Sequence, residues 1–93
     1  MECKRVVFTR HALTRMFERK ISVDEVAKAL AGGEIIRSYP KDLPIPSSLV
    51  LGDGGGRALH VVAAQEPQTG VCYVITAYVP GPMEWTADLR RKL

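Results

Sequence analysis

His11 and Arg15 stand four residues apart, and Arg19 follows after four more. On a helix this spacing puts the three side chains one turn apart on one side. Imidazole exchanges protons near neutral pH, and guanidinium grips a phosphate through paired N–H groups. The trio therefore predicts a phosphate site with an acid–base group beside it. A helix surface bearing a histidine and ordinary solvated arginines, with Glu18 within reach as a partner, has the same sequence, and that alternative stays open at this point.

A second set lies near the other end. Along 57–64, alternation groups His60 with Val62 and Ala64, against Leu59, Val61 and Ala63. Along 71–79 it groups Cys72, Val74, Thr76 and Tyr78, against Tyr73, Ile75, Ala77 and Val79. If helices cover one face of the sheet, His60, Thr76 and Tyr78 can line the other. A half-buried, hydrogen-bonded His60 is the competing role. Tyr39 and Trp85 are candidates for base stacking, with packing over an exposed sheet face as the plainer role for Trp85.

Other chemistries lack support. Gly54-Gly55-Gly56 is not followed by Gly-Lys-Ser/Thr, so it reads as a hairpin turn rather than a phosphate loop. Two histidines and two distant cysteines lack zinc-ligand spacing, and no nucleophile elbow of the Gly-x-Ser-x-Gly type is present. No metal or other cofactor is expected. Cys3 and Cys72 are read as free thiols of a reducing, cytoplasmic compartment.

The elements that must position these residues are legible from spacing. Val6-Val7-Phe8 is β-prone and suits an edge strand. Thr9 suits a helix N-cap, and Ala12, Leu13, Met16 and Phe17 recur at helical spacing over 10–20. Ser22-Val23-Asp24-Glu25 is a capping box that opens a second helix over 23–31, with Ile21 as a staple onto Val26. Gly32-Gly33 is expected to end it in the left-handed conformation. Strands are predicted at 34–39, 48–51, 57–64 and 71–79, with a proline-rich loop at 40–46. Tight turns join the strands, so a meander is expected. Leu13, Met16, Phe17, Val26 and Leu30 are predicted to be buried together.

The fold class that follows is α+β: two N-terminal helices packed on one face of an antiparallel, meander-like sheet of about four strands. The 93 residues form one domain, 1–93, with 81–93 as a C-terminal tail. No apolar run approaches the roughly 20 residues that span a bilayer, and three apolar residues after Arg5 are too few for a signal-peptide core. Soluble and cytoplasmic is the expectation, with no membrane partner.

Charge is uneven along the chain. Residues 1–20 carry six bases and two acids, 21–85 four bases and seven acids, and 86–93 three bases and one acid, which accounts for the net +3. If the tail folds back near the first helix, one basic surface results, suited to phosphates or acidic partners.

The run Phe8-Thr9-x-His11-Ala12-x-x-Arg15-Met16-x-x-Arg19-x-Ile21-Ser22 resembles the opening signature of the domain-of-unknown-function family 4258. His60-Val61-Val62 and Val74-Ile75-Thr76-Ala77-Tyr78 resemble its later blocks, so the resemblance covers about residues 6–80. The helix–helix–sheet order is distantly similar to that of the bacterial RelE- and BrnT-type toxins, which cleave RNA. The loop at 40–46 and the basic tail Arg90-Arg91-Lys92 have no matched counterpart.

These readings combine into two expectations. One is a toxin-like, RNA-binding or RNA-cleaving domain, a metal-independent endoribonuclease with an antitoxin-like protein as partner. In it His11 or His60 is the catalytic proton exchanger, and Arg15, Arg19 and Tyr78 bind substrate. The other is a non-catalytic protein-interaction module that uses the sheet face or the basic helix.

Overall fold

The computed structural model describes residues 1–93. Strand β1 (Arg5–Phe8) leads into helix α1 (Arg10–Glu18) and helix α2 (Val23–Gly32). Four strands follow: β2 (Glu34–Tyr39), β3 (Ser47–Asp53), β4 (Ala58–Gln65) and β5 (Val71–Tyr78). They form one sheet in the order β1-β5-β4-β3-β2.

Local chemistry sets the helix starts. The Thr9 hydroxyl accepts from the Ala12 N–H at 3.1 Å and donates to the Val74 carbonyl at 3.0 Å, so one side chain both caps α1 and fixes it to β5. The capping box at Ser22 is complete: its hydroxyl accepts from the Glu25 N–H at 3.0 Å, and the Glu25 carboxylate accepts from the Ser22 N–H at 3.1 Å. Helix α1 stops two residues short of expectation because Lys20 turns left-handed, at φ 57.

The second helix ends differently from the left-handed cap its glycines suggested. Gly33 is extended, at φ −83 and ψ 169. Space, not φ, demands glycine there: a Cβ on Gly33 would stand 2.5 Å from Val50 Cγ1. Across the same contact, a Cβ on Gly52 would fall onto the Ala29 carbonyl. The two glycines let α2 lie directly against β3.

The meander is present as β2-β3-β4-β5, all antiparallel. The sheet nevertheless has five strands rather than about four, and it is mixed. β1 pairs parallel with β5, Arg5 opposite Val71 through Phe8 opposite Val74. The two helices intervene between β1 and the meander, and such a long crossover lets β1 reach the far edge in parallel sense.

Between β3 and β4 the Asp53 carboxylate accepts from the Gly55 and Gly56 N–H groups at 2.6 and 2.9 Å. Gly55 and Gly56 adopt φ 104 and 144, which glycine tolerates. The triple glycine is thus the hairpin turn that the sequence predicts. Arg57 next to it bonds Glu25 at 2.8 Å and the Lys20 carbonyl at 2.7 Å, tying this turn to the helix junction.

The core lies on one side of the sheet. Ala12, Met16, Ile21, Val26, Ala29 and Leu30 from the helical layer meet Val50, Leu59, Val61, Ala63, Val74 and Ala77. Two expected members are missing. Leu13 is 44% exposed and Phe17 86% exposed. Helix α1 presents Ala12 and Met16 to the sheet, so the other two face sideways and outward.

Cys3 and Cys72 are joined in a disulfide, which corrects their reading as free thiols. The bond fastens the segment before β1 to the start of β5. No helix is long and apolar enough to cross a membrane.

Candidate functional site

The second sheet face is built by β4 and β5. Its composition depends on a bulge. Val62 opposes Thr76, but Ala63 opposes Val74, so Ile75 is the extra residue. Simple alternation had grouped Cys72 and Val74 with Thr76 and Tyr78. The bulge reverses that parity. Cys72 and Val74 are fully buried, Val74 in the core beneath the helices, whereas Thr76 and Tyr78 share the second face with Val62 and His60.

That face is not bare. Residues 81–93 fold across it, closed by an isolated antiparallel bridge between Trp85 and Lys92. The Thr86 N–H donates to the Arg91 carbonyl and the Leu93 N–H to the Glu84 carbonyl, both at 2.8 Å. Arg90 pairs with Glu34 of β2 at 2.7 Å, which anchors the tail to the far side of the sheet.

Beneath the tail His60 is completely buried. Trp85 meets its ring edge-on at 4.4 Å between centroids, and Tyr78 does so at 5.3 Å. Nε2 lies 2.8 Å from the Leu89 carbonyl and Nδ1 3.2 Å from the Tyr78 hydroxyl. A carbonyl only accepts, so Nε2 carries the proton. In the neutral imidazole Nδ1 then accepts from the Tyr78 O–H. Burial favours that neutral form and holds the His60 pKa below its ordinary value, while the bond to the Leu89 carbonyl pulls the other way.

Tyr78 is half-buried. Burial pushes its phenol up, reinforced by Tyr39 and Glu84, while Arg37 and Arg19 pull it down. The phenol is therefore protonated at neutral pH and hydrogen-bonded to an imidazole with room for a proton. Around it opens a cleft of about 380 Å³, lined by Arg19, Tyr78, Val79, Glu84, Trp85 and Lys92.

Arg19 reaches this cleft from the end of α1. Its Nη1 donates to the Ala77 carbonyl at 2.9 Å and to Thr76 Oγ1 at 3.3 Å. These groups lie on β5 beyond its last pairing with β1, at Phe8 and Val74. Arg19 thus closes an otherwise open strand edge through Nη1, while its Nε and Nη2 make no hydrogen bond within the chain. The tail meets the C-terminal end of the first helix at this cleft, where Glu84, Trp85 and Lys92 stand with Arg19.

The predicted site residues fall into two groups. His60, Tyr78 and Arg19 come together. His11 and Arg15 stay on the exposed surface of α1, and Arg15 pairs with Glu18 at 3.3 Å. The core face of the sheet separates them from His60. Sequence reasoning missed Lys92, Glu84 and Leu89. Only the basic tail hinted at the first, and nothing marked the other two. No group of three His, Cys, Asp or Glu side chains is arranged to hold a metal.

No curated protein and no solved structure matches the chain. A family model described as a domain of unknown function, DUF4258, matches residues 8–79, from the last residue of β1 to just past β5. That span contains α1, α2, the whole meander, Arg19, His60 and Tyr78, and leaves Lys92 and the rest of the tail outside. It covers well over half of the sequence, and on that match the chain belongs to the DUF4258 family.

Proposed function

We propose that the chain is an RNA-directed domain that cleaves a phosphodiester without a metal, using the cleft at Tyr78. One observation carries the reading: the Tyr78 hydroxyl bonds to a buried neutral imidazole beside two cationic side chains, Arg19 and Lys92. The toxin-like aspect rests on the helix–helix–sheet order alone. A cytoplasmic place of action goes with RNA as substrate, and the Cys3–Cys72 bond then belongs to an oxidised form of the protein.

In this mechanism the ribose 2′-hydroxyl attacks the adjacent phosphorus. Its proton passes to Tyr78 as Tyr78 gives its own to His60 Nδ1. The resulting imidazolium donates from both nitrogens, and the Leu89 carbonyl already receives one of these bonds. Arg19 and Lys92 neutralise the charge that builds on the phosphorane oxygens. The 2′ O–P bond forms, the P–O5′ bond breaks, and the Lys92 ammonium protonates the leaving 5′ oxygen. A cyclic 2′,3′-phosphate and a free 5′-hydroxyl result, and solvent returns the proton from His60 to Lys92.

The experiment is cleavage of a mixed RNA pool with and without chelator, by wild type and by Tyr78→Phe, His60→Gln and His11→Gln. Chelator-resistant cleavage is expected. Tyr78→Phe should slow it roughly 100-fold or more, as loss of acid–base catalysis does, and His11→Gln should leave it near wild type. Cleavage that survives Tyr78→Phe, or none by the wild type, removes this reading.

A further inference from the structure

The most exposed aromatic of the helical layer is Phe17. It stands 86% exposed on α1, with Leu13 at 44% and Val23 at 46% beside it. Together with Met16, Ile21 and one acidic side chain, Glu18, these side chains line a shallow groove of about 780 Å³ between α1 and the start of α2, and Arg10 and Lys20 flank it from outside. Exposed apolar patches of this kind mark interaction sites. The chain's own tail does not cover the groove, because it is held across the opposite sheet face by the Arg90–Glu34 pair.

Charge decides what does. Exposed Arg10 lies one turn before Leu13, and exposed Lys20 lies just past Phe17. The only acid within α1, Glu18, is already paired with Arg15. Asp24 is the one remaining exposed acid near the α2 side. A second copy docking α1 against α1 antiparallel, Leu13 facing Phe17, would set Arg10 of each chain against Lys20 of the other. A parallel arrangement would set Arg10 against Arg10. Both place like charges together, at a cost to association.

From the exposed apolar residues and their basic flanks we infer that the Leu13–Phe17–Val23 groove docks an acidic amphipathic helix of another protein. Apolar side chains at i, i+3/i+4 and i+7 of that helix cover Phe17 and Leu13, and its flanking carboxylates meet Arg10 and Lys20. This surface is separate from the Tyr78 cleft and does not depend on the chemistry proposed there.

The test uses an amphipathic synthetic peptide roughly 20 residues long, leucine at the helical-stripe positions and glutamate elsewhere, and a counterpart with lysine for glutamate. Binding is followed by fluorescence anisotropy. The glutamate peptide is expected to bind, and the lysine peptide to bind at least about tenfold more weakly. Phe17→Ser should weaken the glutamate peptide at least about tenfold, as loss of a central aromatic anchor does. That substitution is at an exposed position, and an unchanged circular dichroism spectrum checks that the fold is kept. Arg10→Glu with Lys20→Glu should reverse the preference between the peptides. Equal binding of both peptides, no binding of either, or full binding by Phe17→Ser overturns the inference. So does concentration-dependent dimerisation in sedimentation that Phe17→Ser abolishes, since the groove would then belong to a second copy.

Discussion

The buried imidazole of His60 donates from Nε2 to the backbone carbonyl of Leu89 at 2.8 Å, and Leu89 is held in the left-handed region at φ 63. A branched residue seldom adopts that conformation, and it persists only where surrounding contacts fix it. Here the Leu89 N–H donates to the Thr86 carbonyl at 2.8 Å while its own carbonyl receives the histidine proton. The histidine thus links the sheet to the strained turn of the tail.

Stability should therefore depend on the charge of His60. Its folded-state pKa is depressed below 6.5, chiefly by burial. A depressed pKa contributes stability that is present above the unfolded value and lost as pH falls through the folded one. The thermal midpoint is expected to drop as pH falls below about 6.5, and His60→Gln should flatten that limb. A second acid limb belongs to Glu25, whose pKa is lowered from 4.5 to about 2 by the Arg57 side chain and the Ser22 N–H. Its contribution is present above 4.5 and is lost as pH falls towards 2, so Arg57→Gln should blunt it. Melting curves across the acid range read both.

Two neighbours on α1 should respond oppositely to truncation. Met16 is 2% exposed and sits in the core, so Met16→Ala should cost about 2–5 kcal/mol. Phe17→Ala, at an exposed position, should stay within about 0.5 kcal/mol of wild type. Urea unfolding of the two variants measures the difference, and equal losses would mean that α1 is rotated from the orientation described.

Gly52→Ala places a methyl group on the Ala29 carbonyl, which is helix backbone and cannot swing aside. Overpacking of this kind costs about 1–3 kcal/mol or more. Gly32→Ala meets nothing within 4 Å and should not destabilise. Paired denaturation curves of the two variants test the close approach of α2 to β3.

If Arg19 and Lys92 contact RNA phosphates, binding should weaken with salt, each contact adding a log–log slope of roughly −0.7 on single strands. Replacing both with Gln should flatten the slope by about one to two units. Replacing His11 and Arg15 should not, because they lie outside the cleft. Titrations at several salt concentrations distinguish the two basic surfaces.

The parts legible in the sequence were those fixed by local chemistry. The Thr9 cap, the Ser22–Glu25 box and the Asp53–Gly56 turn each satisfy their own backbone groups, so a few neighbouring residues suffice to reveal them. The contact between His60 and Tyr78 was accessible only in part. Both were placed on the second face, but the Ile75 bulge that separates Tyr78 from Val74 in parity carries no strong sequence mark. Phe17 was misread because Ala12, Leu13, Met16 and Phe17 form one stripe in any helix. Only the tertiary demand that Thr9 and Arg19 bond β5 turns α1 so that half of the stripe looks outward. Lys92 reaches the cleft, and Leu89 reaches His60, by a fold-back of the tail that no local pattern announces.

The bond between Cys3 and Cys72 spans a sequence separation of 69 and encloses both helices and most of the sheet. A single backbone cut inside that ring, in the 40–46 loop or at Gly55-Gly56, would not divide the molecule. The two pieces would stay covalently tethered, one bearing Arg19 and the other His60, Tyr78 and Lys92. A nicked chain would migrate as one species without reductant and as two with it, and it would carry every cleft residue in a two-chain form.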